Sequence, residues 1–159
     1  MTVTDIGKVG KEIRQTRPFR STGAEATISL LRTADLIRRR LSAVIEPAGI
    51  TFQQYNVLRI LRGAGADGVP TLEIAERMIE RAPGITRLID RLEAKGLVAR
   101  RRCTEDRRVV YGMITAEGLE LLARLDGQVD ATDESAMSHL STQEQKNLIG
   151  LLDTIRDPE

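Results

Sequence analysis

The stretch "RAPGITRLIDRLEAKGLVARRRCTEDRRVV", which runs from Arg81 to Val110, holds the pattern that decides the fold. It gathers nine Lys or Arg and four acids into thirty residues of a chain whose formal net charge is only +1. Apolar residues at helical spacing lead up to Gly96, and two short strand-like runs follow it. The stretch therefore predicts a basic helix that turns at Gly96 into a β-hairpin.

The predicted helix has one apolar face and one polar face. The apolar residues recur at positions i, i+3, i+4 and i+7, and they are Ile85, Leu88, Ile89 and Leu92. Because such a stripe packs on a core, the opposite face is exposed, and it consists of Pro83, Gly84, Thr86, Arg87, Asp90 and Arg91. Pro83 is expected at the first helical position, where proline is tolerated. Gly96 is expected as a left-handed C-terminal cap.

Capping patterns place the neighbouring helices. Thr51 with Gln54, and Ser141 with Glu144, have the spacing of a capping box. Thr115 precedes another long apolar-periodic run, so we expect it to cap a helix. In the segment between, Thr71 is the expected N-cap of a short helix, and the residues expected on its core side are Leu72, Ile74, Ala75, Met78 and Ile79.

The whole chain then divides into three parts. Residues 1–24 form a basic arm, residues 25–46 and 116–159 form a helical dimerisation region, and residues 47–115 form a winged helix-turn-helix domain. The expected fold is mainly α with a small β-hairpin wing. Its long helices at both ends carry more apolar positions than one small winged lobe can cover, which favours a homodimer.

Two short helices separated by a short turn form a helix-turn-helix, and a hairpin after them forms a wing. On the exposed helix face, Arg87 and Arg91 can reach guanine O6 and N7, and Thr86 can reach a phosphate or a thymine methyl. A narrow minor groove attracts an arginine from the hairpin tip. The residues expected to contact double-stranded DNA are Arg81, Pro83, Gly84, Thr86, Arg87, Arg91, Arg100, Arg101, Asp106, Arg107 and Arg108. Among them, Arg100 and Arg101 are expected on phosphates.

At this point the sequence resembles the MarR (multiple-antibiotic-resistance regulator) family of winged helix-turn-helix transcription factors. "TLEIAERMIERAPGITRLIDRLEAKGLVARR" matches the helix-turn-helix of that family, "EDRRVV" its wing with an Asp-x-Arg signature, and "ITAEGLELL" the start of its dimerisation helix. The resemblance implies that Asp106 braces Arg108 in the minor groove. It also implies a triangular homodimer on a pseudo-palindromic operator, and commonly a repressor that a small aromatic or lipophilic ligand releases.

Charge along the chain agrees with a polyanionic partner. Residues 1–24 hold five bases and two acids, whereas residues 115–159 hold three bases and ten acids. A basic middle backed by an acidic end suits a domain that faces nucleic acid in one direction. The basic arm could contact phosphate, although packing or exchange with a partner is favoured. No apolar run reaches membrane-span length and no secretory signal is visible, so a cytoplasmic protein is expected.

Several features leave alternatives open. A ligand pocket is expected where the first helix meets the winged lobe, lined by Leu41, Phe52 and Tyr55, although core packing is the commoner role for each. Cys103, the only cysteine, could make the regulator redox-responsive, but a passive strand residue is favoured. His139 is the only histidine and predicts no metal site. No catalytic constellation or cofactor motif appears. The remaining alternative is a winged-helix protein-interaction module that does not bind DNA.

Overall fold

The structure is a computed structural model, and it describes residues 6–81 and 84–157. The chain separates into two compact units, Met1–Arg40 and Leu41–Glu159. The first unit contains helix α1 (Lys8–Glu12) and most of helix α2 (Thr22–Ile45). Within this unit Arg32 Nε lies 2.9 Å from Glu12 Oε2, so an ion pair joins the two helices. Residues 1–24, expected as an arm, thus include a short helix.

Helix α2 begins three residues before the predicted start at Glu25. The hydroxyl of Ser21 accepts a hydrogen bond from the backbone N–H of Ala24 at 3.1 Å, and this contact stabilises the first turn. At its other end, α2 passes into a 3₁₀ turn over Glu46–Ala48, and Gly49 takes a left-handed conformation with φ 80°. The first helical segment, expected over residues 25–46, thus ends within one residue of its predicted end.

Helix α3 (Phe52–Ala64) begins with the predicted capping box, in which Thr51 and Gln54 exchange hydrogen bonds. The short helix α4 (Thr71–Arg77) differs from the prediction at its start. Pro70 occupies the N-cap, and the Thr71 hydroxyl instead donates a 2.9 Å hydrogen bond to the Val110 carbonyl. The predicted cap is therefore wrong, because Thr71 ties the helix start to a strand.

The core face of α4 was also predicted too widely. Ile74 and Met78 are buried as expected, but Leu72 is 79% exposed and Ile79 61% exposed. Leu72 lies about 200° around the helix from Ile74, at about 100° a residue, and so points away from the core. Ile79 follows Met78, whose extended backbone (ψ 139°) ends the helical repeat. The two exposed positions correct the sequence interpretation.

Helix α5 (Ile85–Ala94) is followed by strands β2 (Val98–Arg102) and β3 (Val110–Ile114), which pair antiparallel as the predicted hairpin. A third strand, β1 (Val69–Pro70), pairs with β3, and the strand order is β1-β3-β2. Sequence analysis missed β1 because two residues carry no periodicity. The hairpin is thereby anchored to the start of α4.

The last two helices are α6 (Ala116–Met137) and α7 (Thr142–Arg156). Both predicted caps are confirmed: the Thr115 side chain accepts from the N–H of Gly118, and Ser141 and Glu144 form a capping box. The hydrogen bonds that Ser141 donates to Glu144 lower the pKa of this carboxyl below its usual value. No residue of α7 is buried, although the helix carries five Leu or Ile.

The main core lies in the second unit. Its fully buried apolar side chains come from the end of α2, from α3, α4, α5 and α6, and from the sheet; they are Ile45, Val57, Leu58, Leu61, Val69, Ile74, Ile89, Leu92, Val98 and Leu122. Helices around a small antiparallel sheet confirm the predicted fold class. Among the described residues, no helix is long and apolar enough to cross a membrane.

Candidate nucleic-acid interface

Helix α5 buries one face and exposes the other, as its sequence predicts. Ile89 and Leu92 are fully buried, and Ile85 and Leu88 are half-buried against the same core. On the opposite face the side chains of Thr86, Arg87, Asp90 and Arg91 are exposed. The burial of the apolar stripe therefore fixes which residues α5 presents to a partner.

The N-terminus of α5 is built on glycine. Gly84 is the N-cap, with φ 91° and ψ 40°, a left-handed conformation that residues with a side chain rarely adopt. The helix begins at Ile85; Pro83, which was expected at its first position, lies outside the described residues. Arg81 is exposed just before this turn. Since Gly84 has no side chain, another molecule can approach the first turn closely.

Gly96 joins the helix to the wing. It has φ 71°, and the N–H of Leu97 donates to the carbonyl of Leu92 at 3.0 Å. The Thr115 hydroxyl donates to the Gly96 carbonyl at 2.7 Å, so the start of α6 holds this turn. The predicted left-handed end of the helix is confirmed.

The wing tip is a tight turn that exposes two arginines. The N–H of Cys103 donates to the Val109 carbonyl at 2.9 Å, and the N–H of Val109 donates to the Asp106 carbonyl at 3.0 Å. Arg107 and Arg108 both lie at the exposed tip, and the Arg108 side chain is 94% exposed. Asp106 Oδ1 accepts from the Arg108 N–H at 3.0 Å. The tip is thus ordered locally while its guanidinium groups face solvent.

The three arginines of β2 have different surroundings. Arg100 forms ion pairs with Asp90 and Glu93 of α5, and hydrogen bonds to Glu93 and then Asp90 raise the pKa of its guanidinium. Arg101 stacks its guanidinium 5.4 Å from the centroid of the Tyr111 ring. Arg102 is exposed. Sequence reasoning missed the pairing of Arg100, because its partners lie seven and ten residues away on another element.

Most of the other exposed arginines in this region form no ion pair in the structure. Within the part of the chain that the structure describes, no ion pair engages Arg81, Arg87, Arg91 or Arg107, and Arg108 pairs only with Asp106. These side chains come from the segment before α5, from its exposed face and from the wing tip. Several exposed guanidinium groups, most of them without a carboxylate partner, lie on this one segment of helix and wing, and such an arrangement favours the binding of a polyanion.

The residues predicted to line a ligand pocket contribute to the core. Tyr55 belongs to the buried cluster, and Leu41 and Phe52 pack against it half-buried. Burial raises the pKa of the Tyr55 phenol above its ordinary value. A shallow cavity of about 500 Å³ lies elsewhere in this unit, lined by Glu46, Gly49, Ile50, Thr51, Gln54, Arg91, Ala94 and Lys95. The pocket of Leu41, Phe52 and Tyr55 stays a prediction.

The structure also locates Cys103 and His139, the two other residues considered in the sequence. Cys103 is a free, half-buried cysteine at the end of β2. His139 is exposed in the turn between α6 and α7. Across residues 6–81 and 84–157, no group of three or more His, Cys, Asp or Glu could hold a metal ion.

The fold and this basic surface define a winged helix-turn-helix module. The MarR family model matches residues 50–110, which run from the start of α3 to the start of β3. A MarR transcription factor from Planctomyces limnophilus, known as a crystal structure, is 42% identical and has a TM-score of 0.60; the match covers 86% of this chain and 98% of that one. The chain belongs to the MarR family of transcriptional regulators.

Two further relatives match over most of their length. The HTH-type transcriptional regulator FarR of Neisseria gonorrhoeae is 27% identical over 143 residues, which is 88% of this chain and 97% of FarR. The crystal structure of NadR in complex with 4-hydroxyphenylacetate is 26% identical with a TM-score of 0.72, and the match covers 90% of this chain and all of that one. The similarity to these relatives therefore extends beyond the winged domain to the long helices.

Proposed function

We propose that this protein is a homodimeric repressor that binds a pseudo-palindromic operator in double-stranded DNA through α5 and the wing. The observation that carries the proposal is the exposure of Arg87 on α5 and of Arg108 at the wing tip, on two elements that meet at Gly96. Membership of a family of transcriptional regulators supports it.

The contacts fall into two kinds. Thr86 and Arg87 lie in the first turn of α5 and contact base edges in the major groove, where arginine takes guanine O6 and N7 together. Arg108 enters the adjacent minor groove, and Arg107 and Arg102 contact phosphates beside it. Arg81 and the N–H groups around Gly84 contact the backbone at the entrance to the major groove. Arg91, one turn further along α5, lines the shallow cavity beside Thr51 and adds less.

Dimerisation supplies the second half-site. Ile149, Leu151 and Ile155 of α7 are between 57% and 65% exposed, and Leu31 of α2 is 61% exposed. Apolar side chains at this density on helices favour association. A second copy of the chain covers them, so that two α5 helices face half-sites about 10 bp apart.

A small ligand releases the operator. The support is the similarity to NadR, whose structure holds 4-hydroxyphenylacetate. The proposed site is the one predicted around Leu41, Phe52 and Tyr55, and an aromatic carboxylate is the class of ligand to test first. A protein that works on chromosomal DNA in this way is placed in the cytoplasm and needs no catalytic group.

Selection of bound duplexes from a random DNA pool tests the proposal. We expect enrichment of one sequence with approximate twofold symmetry, and an affinity that falls linearly with the logarithm of salt concentration. A winged-helix protein-interaction module would enrich no sequence, and that result would overturn the proposal. Addition of 4-hydroxyphenylacetate to the selected complex then tests the ligand separately.

A further inference from the structure

Arg100 joins the wing to α5 through three short polar contacts. Its Nη2 atom lies 2.6 Å from Asp90 Oδ1 and 2.5 Å from Glu93 Oε2, and its Nε atom donates to Glu93 Oε2 at 2.9 Å. The side chain is 28% exposed, whereas the neighbouring Arg101 and Arg102 are more fully exposed to solvent. Arg100 is thus the arginine of β2 that faces back onto α5.

These contacts lie where they can resist a change in the angle between α5 and the wing. The turn at Gly96 links α5 to β2, and Leu92 and Val98 also join the two elements in the core. Arg100 adds a polar connection outside the core, four residues beyond Gly96, to Asp90 and Glu93 on α5. Since charge-assisted hydrogen bonds are shorter and stronger than neutral ones, a change of angle between helix and wing must break three of them.

The same contacts make Arg100 a poor phosphate ligand. One guanidinium and two carboxylates carry a combined charge of −1, which repels a DNA phosphate. Its Nε and one Nη atom are already engaged by carboxylate oxygens. By contrast, Arg102 is exposed two residues along the same strand.

We propose that Arg100 is a positioning residue: it fixes the angle between α5 and the wing, so that Arg108 reaches the minor groove when Arg87 occupies the major groove. This replaces the sequence-based expectation that Arg100 contacts phosphate, and it rests on the proposed function. If Arg100 acts in this way, substitution of Arg100 changes the effect of Arg108→Ala on DNA affinity, although the two residues do not contact each other.

The test is a double-mutant cycle on the full chain with the duplex selected by the wild type. Affinities of the wild type, Arg100→Gln, Arg108→Ala and the double variant are measured by fluorescence anisotropy at several salt concentrations. We expect Arg100→Gln to weaken binding roughly tenfold and to reduce the effect of Arg108→Ala from about tenfold to less than about threefold. Arg102→Gln is the matched control: it lowers the salt slope by about one and leaves the Arg108→Ala effect intact.

A second variant separates positioning from loss of charge. Asp90→Asn with Glu93→Gln removes the partners of Arg100 and keeps its guanidinium. If Arg100 positions the wing, this variant also loses the Arg108→Ala effect, even though it is less negative near DNA. If Arg100 contacts phosphate, freeing it tightens binding and leaves the Arg108→Ala effect at its full size.

Two outcomes overturn the inference: full additivity of Arg100→Gln with Arg108→Ala, or an Arg108→Ala effect that keeps its full size in the Asp90→Asn/Glu93→Gln variant. Thermal unfolding of each variant checks that the fold is intact, and the Asp90→Asn/Glu93→Gln variant decides if Arg100→Gln does not fold. Failure of the proposed function looks different, because the wild type would then bind no selected duplex.

Discussion

Asp106 holds the backbone of Arg108 at the wing tip while leaving the arginine side chain exposed to solvent. Its Oδ1 atom accepts a 3.0 Å hydrogen bond from the Arg108 N–H and lies 3.4 Å from Arg108 Nε, yet the Arg108 side chain is 94% exposed. An ion pair this exposed contributes little to folding stability. We therefore infer that the pair orients the guanidinium group of Arg108 and contributes little to the stability of the core.

Arg108→Ala should weaken binding to the selected operator at least tenfold, because it removes a charged contact in a narrow minor groove. Gel-shift titration measures the loss, and size-exclusion chromatography should show an unchanged oligomer. Arg124→Ala, which removes an exposed arginine of α6, is the control for the loss of one positive charge. Unchanged affinity in Arg108→Ala would reject the role of the wing.

Arg87→Ala should relax discrimination at one base pair of each half-site, at a loss of about 1–3 kcal/mol for the preferred base. Competition binding with single-base variants of the operator measures the effect. Arg91→Ala serves as the comparison on the same helix, and a smaller loss is expected because Arg91 lines the cavity beside Thr51. Equal losses at the same base pairs for both variants would contradict the assignment of Arg87 as the base contact.

Leu151→Glu combined with Ile155→Glu should separate the dimer, because each charge would have to be buried against the second copy. Sedimentation equilibrium should give half of the wild-type mass, and operator affinity should fall. Gln143→Glu adds a charge at an exposed position near the start of α7 and should leave the dimer intact. A dimer that persists in the double variant would show that α7 is not at the interface.

Gly96→Ala should lower the free energy of unfolding by about 1 kcal/mol, because an L-residue with a side chain is strained in the left-handed conformation. Gly63→Ala is the matched control of opposite sign. Gly63 lies inside α3, and a Cβ added there would meet no neighbouring atom within 4 Å, so alanine should raise the free energy of unfolding by about 0.5–1 kcal/mol. Urea unfolding followed by circular dichroism measures both, and a destabilised Gly63→Ala would contradict the comparison.

Much of the fold was predictable because local chemistry decides it. Thr51, Thr115 and Ser141 cap helices where their side chains match the exposed N–H groups, and Gly96 ends α5 where only glycine is unstrained. The apolar face of α5 was equally predictable, because its residues recur with the period of an α-helix.

The errors share another cause, which is contact between elements distant in sequence. Thr71 does not cap α4, because its hydroxyl bonds to Val110 on β3, 39 residues away. Strand β1 exists only because β3 lies beside it. For the site, sequence located the exposed arginines of α5 and the wing tip, but it could not separate Arg100, paired across two elements, from Arg102 on the same strand.

The measurement that tests the central claim most directly is footprinting of the selected operator, with dimethyl sulfate for guanine N7 in the major groove and hydroxyl radicals for the minor groove. Binding through α5 and the wing predicts two protected major-groove segments about 10 bp apart, each with protected minor-groove sugars beside it, and loss of the minor-groove protection alone in Arg108→Ala. Protection confined to one groove, or minor-groove protection that survives in Arg108→Ala, would contradict it.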